Sequence, residues 1–170
     1  GTVGQTATVT QYGTPRYAAS SATWVFGAQT WSDAIQIPGC DKDDFGCSPS
    51  DPRCRSHTDQ DGLKRYYYNW PYVNRHADTL CPSPWRVPSE ADFETLIEAI
   101  DYDYETLVRG WDWFGGSANC NRMDNVKGMA NSWSSVGAGY VAVELLIVFN
   151  KDIFTQNSSS PYGDLVRCVR

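Results

Sequence analysis

Six cysteines constrain what this chain of 170 residues can fold into more than any other feature of its sequence. An even number of cysteines in a small, loop-rich, tryptophan-rich chain indicates disulfide bonds and an oxidising compartment. Zinc is disfavoured, because the first three cysteines are spaced by seven residues and neither His57 nor His76 completes a zinc pattern. Free buried thiols are the remaining alternative. About fifteen pairings are open to six cysteines, and the disulfide candidates are Cys40, Cys47, Cys54, Cys81, Cys120 and Cys168.

Charge and hydropathy exclude several classes of partner. The formal net charge is -6, from 14 basic and 20 acidic residues, and no basic stripe is visible, so neither nucleic acid nor an anionic membrane surface is expected as a partner. No run of about 18 apolar residues exists, so no direct membrane span is predicted. The chain opens at Gly1 without the charged start and apolar stretch of a signal peptide, so we expect any such leader to have been removed.

One helix is predicted with a defined start. Ser89 can cap its first turn, Asp92 completes a capping box three residues on, and Pro88 discourages an earlier start. Apolar residues then recur at helical spacing on one face. We therefore expect a helix over Ser89–Ile100, and a second short helical piece over Tyr104–Val108. The buried face of the first helix should consist of Phe93, Leu96, Ile97 and Ile100.

Strands are predicted before this helix. Trp24–Phe26 and Thr30–Trp31 flank a tight turn that contains glycine, which is typical of a hairpin. The aromatic run Tyr66–Trp70 is β-prone and is expected to pack in the core. Residues 1–22 are rich in Thr, Ser, Gly and Gln and form either an edge strand or a linker. The compact domain is therefore expected over residues 23–170.

The cysteine-rich segment 38–65 has little apolar material to bury and is expected to gain order from local disulfides. Asp41–Gly46 faintly resembles a calcium loop, but Phe45 and Pro52 stand where oxygen ligands are needed. A solvated acidic loop is the preferred interpretation, and neither a metal nor another cofactor is predicted. No catalytic residue is predicted, because neither histidine lies in a nucleophile or metal motif.

The last third of the chain contains a long apolar strand, Tyr140–Phe149, followed by a polar segment. Successive side chains of a strand point to opposite faces. A charged Glu144 should face water and bring Leu146 and Val148 outward with it, as contact residues of a binding surface. The alternative is a strand buried on both faces, with Glu144 at its end. Residues 150–163 are predicted to form a long loop, and the aromatic residues in it show no core period.

Several motifs, in a fixed order, resemble a known family: the Fibrobacter succinogenes major paralogous domain, common in surface lipoproteins of Bacteroidetes. They cover about residues 24–170 and are Val25–Trp31, Tyr68–Trp70, Leu80–Ser89, Trp133–Ser135 and Val166–Arg170. The resemblance implies an α+β, C-type-lectin-like (formylglycine-generating-enzyme-like) fold. Such a fold has few short helices, small antiparallel sheets and much irregular loop.

The same motifs are similar to the variable proteins of diversity-generating retroelements, in which a reverse transcriptase rewrites Asn codons near the 3′ end of a gene. There Trp-Ser-Ser and a terminal Val-Arg-Cys-Val-Arg bracket the variable positions. One departure is the segment 119–129, which carries Cys120 and both methionines of the chain, whereas the family has a shorter, glycine-rich segment. The resemblance implies a surface-displayed ligand-binding protein with a variable region at about 110–163, and no enzyme. The alternative is a non-diversified structural or adhesin domain of a bacterial surface lipoprotein.

Strand phase, loop composition and this resemblance together predict the ligand-binding residues Trp113, Asn131, Tyr140, Glu144, Leu146, Val148, Phe154, Gln156 and Tyr162. The expected partner is a protein or glycan on another cell or a phage. The chain itself is expected to be a monomer, either secreted or held at the cell surface as an outer-membrane lipoprotein, and its gene could belong to a phage.

For the disulfides, we expect Cys81 to pair with Cys168, which would tie the segment before the helix to the last strand. The cluster Cys40, Cys47 and Cys54 should hold one internal bridge. The third member of that cluster and Cys120 are then either left over or paired with each other.

Overall fold

The architecture is mixed α+β, with short helices and small antiparallel sheets, as the sequence predicts. It is taken from a computed structural model, which describes residues 7–9, 22–36, 40, 50–58, 64–103, 117–119, 122–124, 129–138, 141–148, 153–159 and 161–170. Within these ranges lie three helices and three antiparallel sheets. The predicted helical piece Tyr104–Val108 and the acidic segment Asp41–Gly46 fall outside the described residues.

The first sheet contains the predicted hairpin. Strands β2 (Ala22–Phe26) and β3 (Gln29–Ser32) pair across a two-residue turn. Gly27 in this turn has a φ of +59°, a conformation that glycine adopts without strain. Strand β1 (Ala7–Val9) pairs with β2, so this part of the N-terminal segment is an edge strand.

The second sheet has five strands, in the order β4-β5-β11-β6-β7. These are β4 (Cys54–Thr58), β5 (Lys64–Asn69), β6 (Ser117–Asn119), β7 (Arg122–Asp124) and β11 (Gly163–Asp164). The predicted aromatic run lies in β5, and its three tyrosines are buried. The run ends as a strand at Asn69, because Trp70 already begins a helix.

The third sheet has the order β10-β9-β8, with β8 (Met129–Ala138), β9 (Val141–Val148) and β10 (Ile153–Ser159). The predicted long loop over 150–163 is therefore wrong, since seven of its residues pair with β9. The physical reason is that β10 lies at the edge of the sheet, and only Ile153 among its side chains is buried. Such a strand lacks the apolar alternation that sequence analysis relies on.

Two short helices follow β5. Helix α1 (Trp70–Arg75) starts at Asn69, whose side-chain oxygen accepts a hydrogen bond of 3.1 Å from the Tyr72 N–H. Helix α2 (Ala77–Leu80) comes directly after it. Together they bury only three apolar side chains, Trp70, Val73 and Leu80. This suits short connecting helices rather than a core helix.

Helix α3 (Glu90–Ala99) confirms the predicted helix and its start. The Asp92 N–H donates to Ser89 Oγ at 3.1 Å, and the Ser89 N–H donates to Asp92 Oδ2 at 2.9 Å, which closes the capping box. The four predicted apolar residues are all buried. They pack against the first and third sheets in a cluster that includes Trp24, Phe26, Trp31, Leu145 and Ile153.

The predicted disulfide Cys81–Cys168 is present, with the two Cα atoms 5.6 Å apart. Cys40 pairs with Cys54, so the cysteine cluster does hold one internal bridge, while Cys47 and Cys120 lie outside the described residues. Two disulfides fit a protein of an oxidising compartment. No helix in the described part of the chain is long and apolar enough to cross a membrane.

Candidate functional site

The register of the third sheet brings several predicted site residues into rows across its three strands. Asn131 of β8, Leu146 of β9 and Phe154 of β10 are paired partners in one row. Trp133, Glu144 and Gln156 form the next row but one along the strands. These residues lie in three separate segments of the sequence, and the pairing of strands places them side by side.

The prediction that Glu144 faces water is wrong, because only 1% of this residue is exposed. The strand is buried on both faces here, since Leu145 packs against α3 while Trp133, the partner of Glu144, lies in the other core. The stated alternative is the better description, although Glu144 lies in the middle of β9 and not at its end. Gln156 Nε2 donates a hydrogen bond of 2.8 Å to Glu144 Oε1.

A second buried carboxyl, Asp164 of β11, lies against Glu144. Burial raises the pKa of Asp164 well above its ordinary value, and the nearby carboxyl group of Glu144 raises it further. A carboxyl group buried this deeply beside another carboxyl group favours its protonated form over a second buried negative charge. The pair is therefore a buried part of the frame and is not an open contact surface.

An exposed groove of about 290 Å³ lies between α3 and the edge strand β10. Its walls carry two exposed rings, with Tyr102 64% and Phe154 39% exposed. These are two of the three large apolar side chains that are exposed among the described residues. The lining residues are Glu94, Ile97, Glu98, Tyr102, Ile153, Phe154 and Thr155.

The end of α3 fixes the position of Tyr102. The Tyr102 N–H donates to the Ile97 carbonyl and the Asp101 N–H to the Glu98 carbonyl, each at 3.0 Å, which is the Schellman pattern. Asp101 and Tyr102 have φ values of 52° and 59°, the left-handed region that costs an L-residue about 1–2 kcal/mol. The backbone thus adopts a strained course that leaves the Tyr102 ring beside the groove.

A second groove, of about 340 Å³, lies at the turn end of the β8–β9 hairpin and is lined by small apolar side chains and Asn157. Its shape depends on Gly137, where a Cβ atom would lie 2.7 Å from Trp70 Cε2 and 2.8 Å from Ala142 Cβ. Its lining residues include no charged side chain, so it has fewer means of selecting a ligand than the first groove.

The other predicted site residues divide into three groups. Trp113 and Tyr140 lie outside the described residues, and for Asn131, Leu146 and Val148 only the strand positions are described. Tyr162 is half-buried in the turn before β11, where its N–H donates to the Ser159 carbonyl. Within the described ranges, no three His, Cys, Asp or Glu side chains are grouped as metal ligands would be.

Of the seven groove residues, sequence analysis predicted only Phe154 as a contact residue. The charged and exposed aromatic residues that it missed are Glu94, Glu98 and Tyr102. The two glutamates are one helical turn apart on the exposed side of α3, a spacing that could have marked them as neighbours. In the sequence they are indistinguishable from the solvated face of any amphipathic helix. No sequence pattern marked Tyr102 as a groove residue, because its position depends on the left-handed turn that follows the helix.

Comparisons with known proteins add no relative to these observations: no family of known proteins, no curated protein and no solved structure matches the chain.

Proposed function

We propose that this chain is an extracellular ligand-binding domain with a C-type-lectin-like fold, whose C-terminal third presents variable side chains on a fixed frame. The observation that carries the proposal is the position of Phe154. This predicted contact residue is exposed at a groove, while its neighbour Ile153 is buried against α3. An exposed ring on a backbone that is anchored at the next residue suits a contact site better than a core.

A frame of buried groups supports the same function. On one side of β9, Leu145 packs against the apolar face of α3. On the other side, Trp133 Nε1 donates to the Tyr68 carbonyl at 2.6 Å, and Gln156 bonds to Glu144. These contacts hold the backbone without using the exposed groove rings of Tyr102 and Phe154, so exposed positions can change while the strands keep their places. The two disulfides support a secreted or cell-surface location, including that of an outer-membrane lipoprotein.

A comparison of this gene between strains tests the proposal. We expect amino-acid differences to cluster in residues 110–163, at exposed positions such as Phe154, and to spare Leu145 and Ile153. A reverse-transcriptase gene beside it would add support. The matched control is the segment 64–100 of the same genes, which should vary little. Differences spread evenly over the chain would instead favour a non-diversified structural or adhesin domain.

A further inference from the structure

We infer that the groove between α3 and β10 binds an arginine side chain of a protein partner. The inference rests on the proposed binding function and adds to it the chemistry of the ligand. Its basis is a juxtaposition at one groove of two carboxylates, Glu94 and Glu98, with two exposed rings, Tyr102 and Phe154.

The charge of the groove selects a cation. No lysine or arginine lines it, and within the described residues no ion pair joins Glu94 or Glu98 to another side chain. The two glutamates lie at positions i and i+4 of α3, a spacing that puts Cβ atoms about 5–6 Å apart and makes like charges repel. A positive group between them would relieve this repulsion. The glutamates thus favour a cationic ligand over a neutral or anionic one.

The rings select a flat cation with an apolar stem. A guanidinium group stacks on aromatic faces and donates several hydrogen bonds in one plane, so it can use a ring and a carboxylate at the same time. The aliphatic part of the same side chain can lie along Ile97 and Ile153, which also line the groove. With a volume of about 290 Å³, the groove suits one side chain that projects from a larger surface.

The turn at the end of α3 holds the Tyr102 ring at the groove. Two successive L-residues in the left-handed region are strained, and such strain is commonly retained where a side chain has a task. Burial of the ring does not compensate for it, because Tyr102 is the most exposed large apolar side chain among the described residues. A ligand that covers the ring would bury apolar surface that the fold leaves exposed.

The test uses the whole chain, labelled with ¹⁵N, and the peptide Gly-Ser-Arg-Ser-Gly as the probe. We expect saturable amide shifts in α3 and β10, and a dissociation constant that rises about tenfold when arginine is replaced by citrulline, its neutral isostere. Glu98→Gln should weaken binding of the arginine peptide by a similar factor. The matched control, Asp78→Asn, removes one exposed negative charge from α2, away from the groove, and should leave the dissociation constant unchanged.

Three outcomes would overturn the inference: no shifts at the groove, equal binding of the arginine and citrulline peptides, or equal effects of Glu98→Gln and Asp78→Asn. Saturable binding of maltotriose at the same amides, without binding of the arginine peptide, would overturn it in favour of a glycan. These outcomes are independent of the comparison between strains. Clustered variation without arginine binding would leave the binding function standing, whereas arginine binding without clustered variation would contradict only the diversified role.

Discussion

Asp164 is one side chain whose protonation makes the stability of this fold depend on pH. Its pKa in the folded state lies well above the ordinary value of 3.8, because of burial first and Glu144 second. The folded protein therefore holds this proton more tightly than the unfolded chain. The resulting stabilisation is complete below the unfolded pKa, and it is lost as the pH rises through the folded pKa.

Asp164→Asn should remove this loss, because an amide keeps the shape, can donate a hydrogen bond to Glu144 and does not titrate. We expect the free energy of unfolding of the variant, relative to the natural chain, to rise between pH 4 and pH 8. Near neutral pH the gain should be about 1–3 kcal/mol. Urea unfolding at several pH values measures it. A difference that stays constant or falls with pH would show that Asp164 is already ionised in the folded protein.

Gly137 is fixed by the packing of its neighbours. An added Cβ atom would meet the Trp70 ring at 2.7 Å and the Ala142 methyl at 2.8 Å, and both neighbours are buried. Gly137→Ala should therefore destabilise the protein by about 1–3 kcal/mol through overpacking, which thermal unfolding would detect. Ala138→Ser, at the exposed next position, is the control and should change little. Equal stabilities of the two variants would mean that the hairpin can shift away from α1.

At the scale of elements, helix α3 depends on its capping box. Burial alone would raise the pKa of Asp92, but hydrogen bonds from Arg86 and Ser89 and the charge of Arg86 lower it overall. Ser89→Ala removes the oxygen that accepts from the Asp92 N–H and should destabilise the protein by about 1 kcal/mol. Thr95→Ala on the exposed side of the same helix is the control. It should be neutral or slightly stabilising in chemical unfolding, and a larger loss there than at Ser89 would contradict this account.

Helix α3 and strand β10 show which elements the sequence could predict. The helix was predictable because its cap, spacing and buried face are all local, and each is visible within twelve residues. Strand β10 was not, because its pairing with β9 comes from contacts along the sheet, and its side chains are mostly half-exposed. Glu144 was mispredicted for the same reason, since its buried neighbours Gln156 and Asp164 lie twelve and twenty positions away in the chain. Neither the helix pattern nor the strand pattern predicted the groove, because the groove forms only where α3 meets β10.

At the scale of the whole molecule, the C-terminal segment joins all the parts. The N–H and C=O groups of Arg170 bond to Thr30, and those of Val169 bond to Arg86, each at 2.9 Å. The Trp133 N–H donates to the Leu165 carbonyl at 3.1 Å. The predicted terminal strand is therefore a set of isolated pairings with three different partners. The first sheet, the approach to α3 and the third sheet all depend on this segment for their relative positions.

The disulfide Cys81–Cys168 should therefore stabilise the fold more than Cys40–Cys54 does. It closes a separation of 87 residues, against 14 for the other bridge. A loop-entropy estimate gives about 4–5 kcal/mol for the longer loop and about 3 kcal/mol for the shorter one. Paired replacement by alanine, C81A/C168A against C40A/C54A, followed by guanidinium unfolding, measures both losses, and each variant is the control for the other. The longer bridge should also matter more because it fixes the segment that joins the sheets, whereas Cys40–Cys54 closes a local loop. An equal loss, or a larger loss from C40A/C54A, would mean that the terminal hydrogen bonds hold this segment without the bridge.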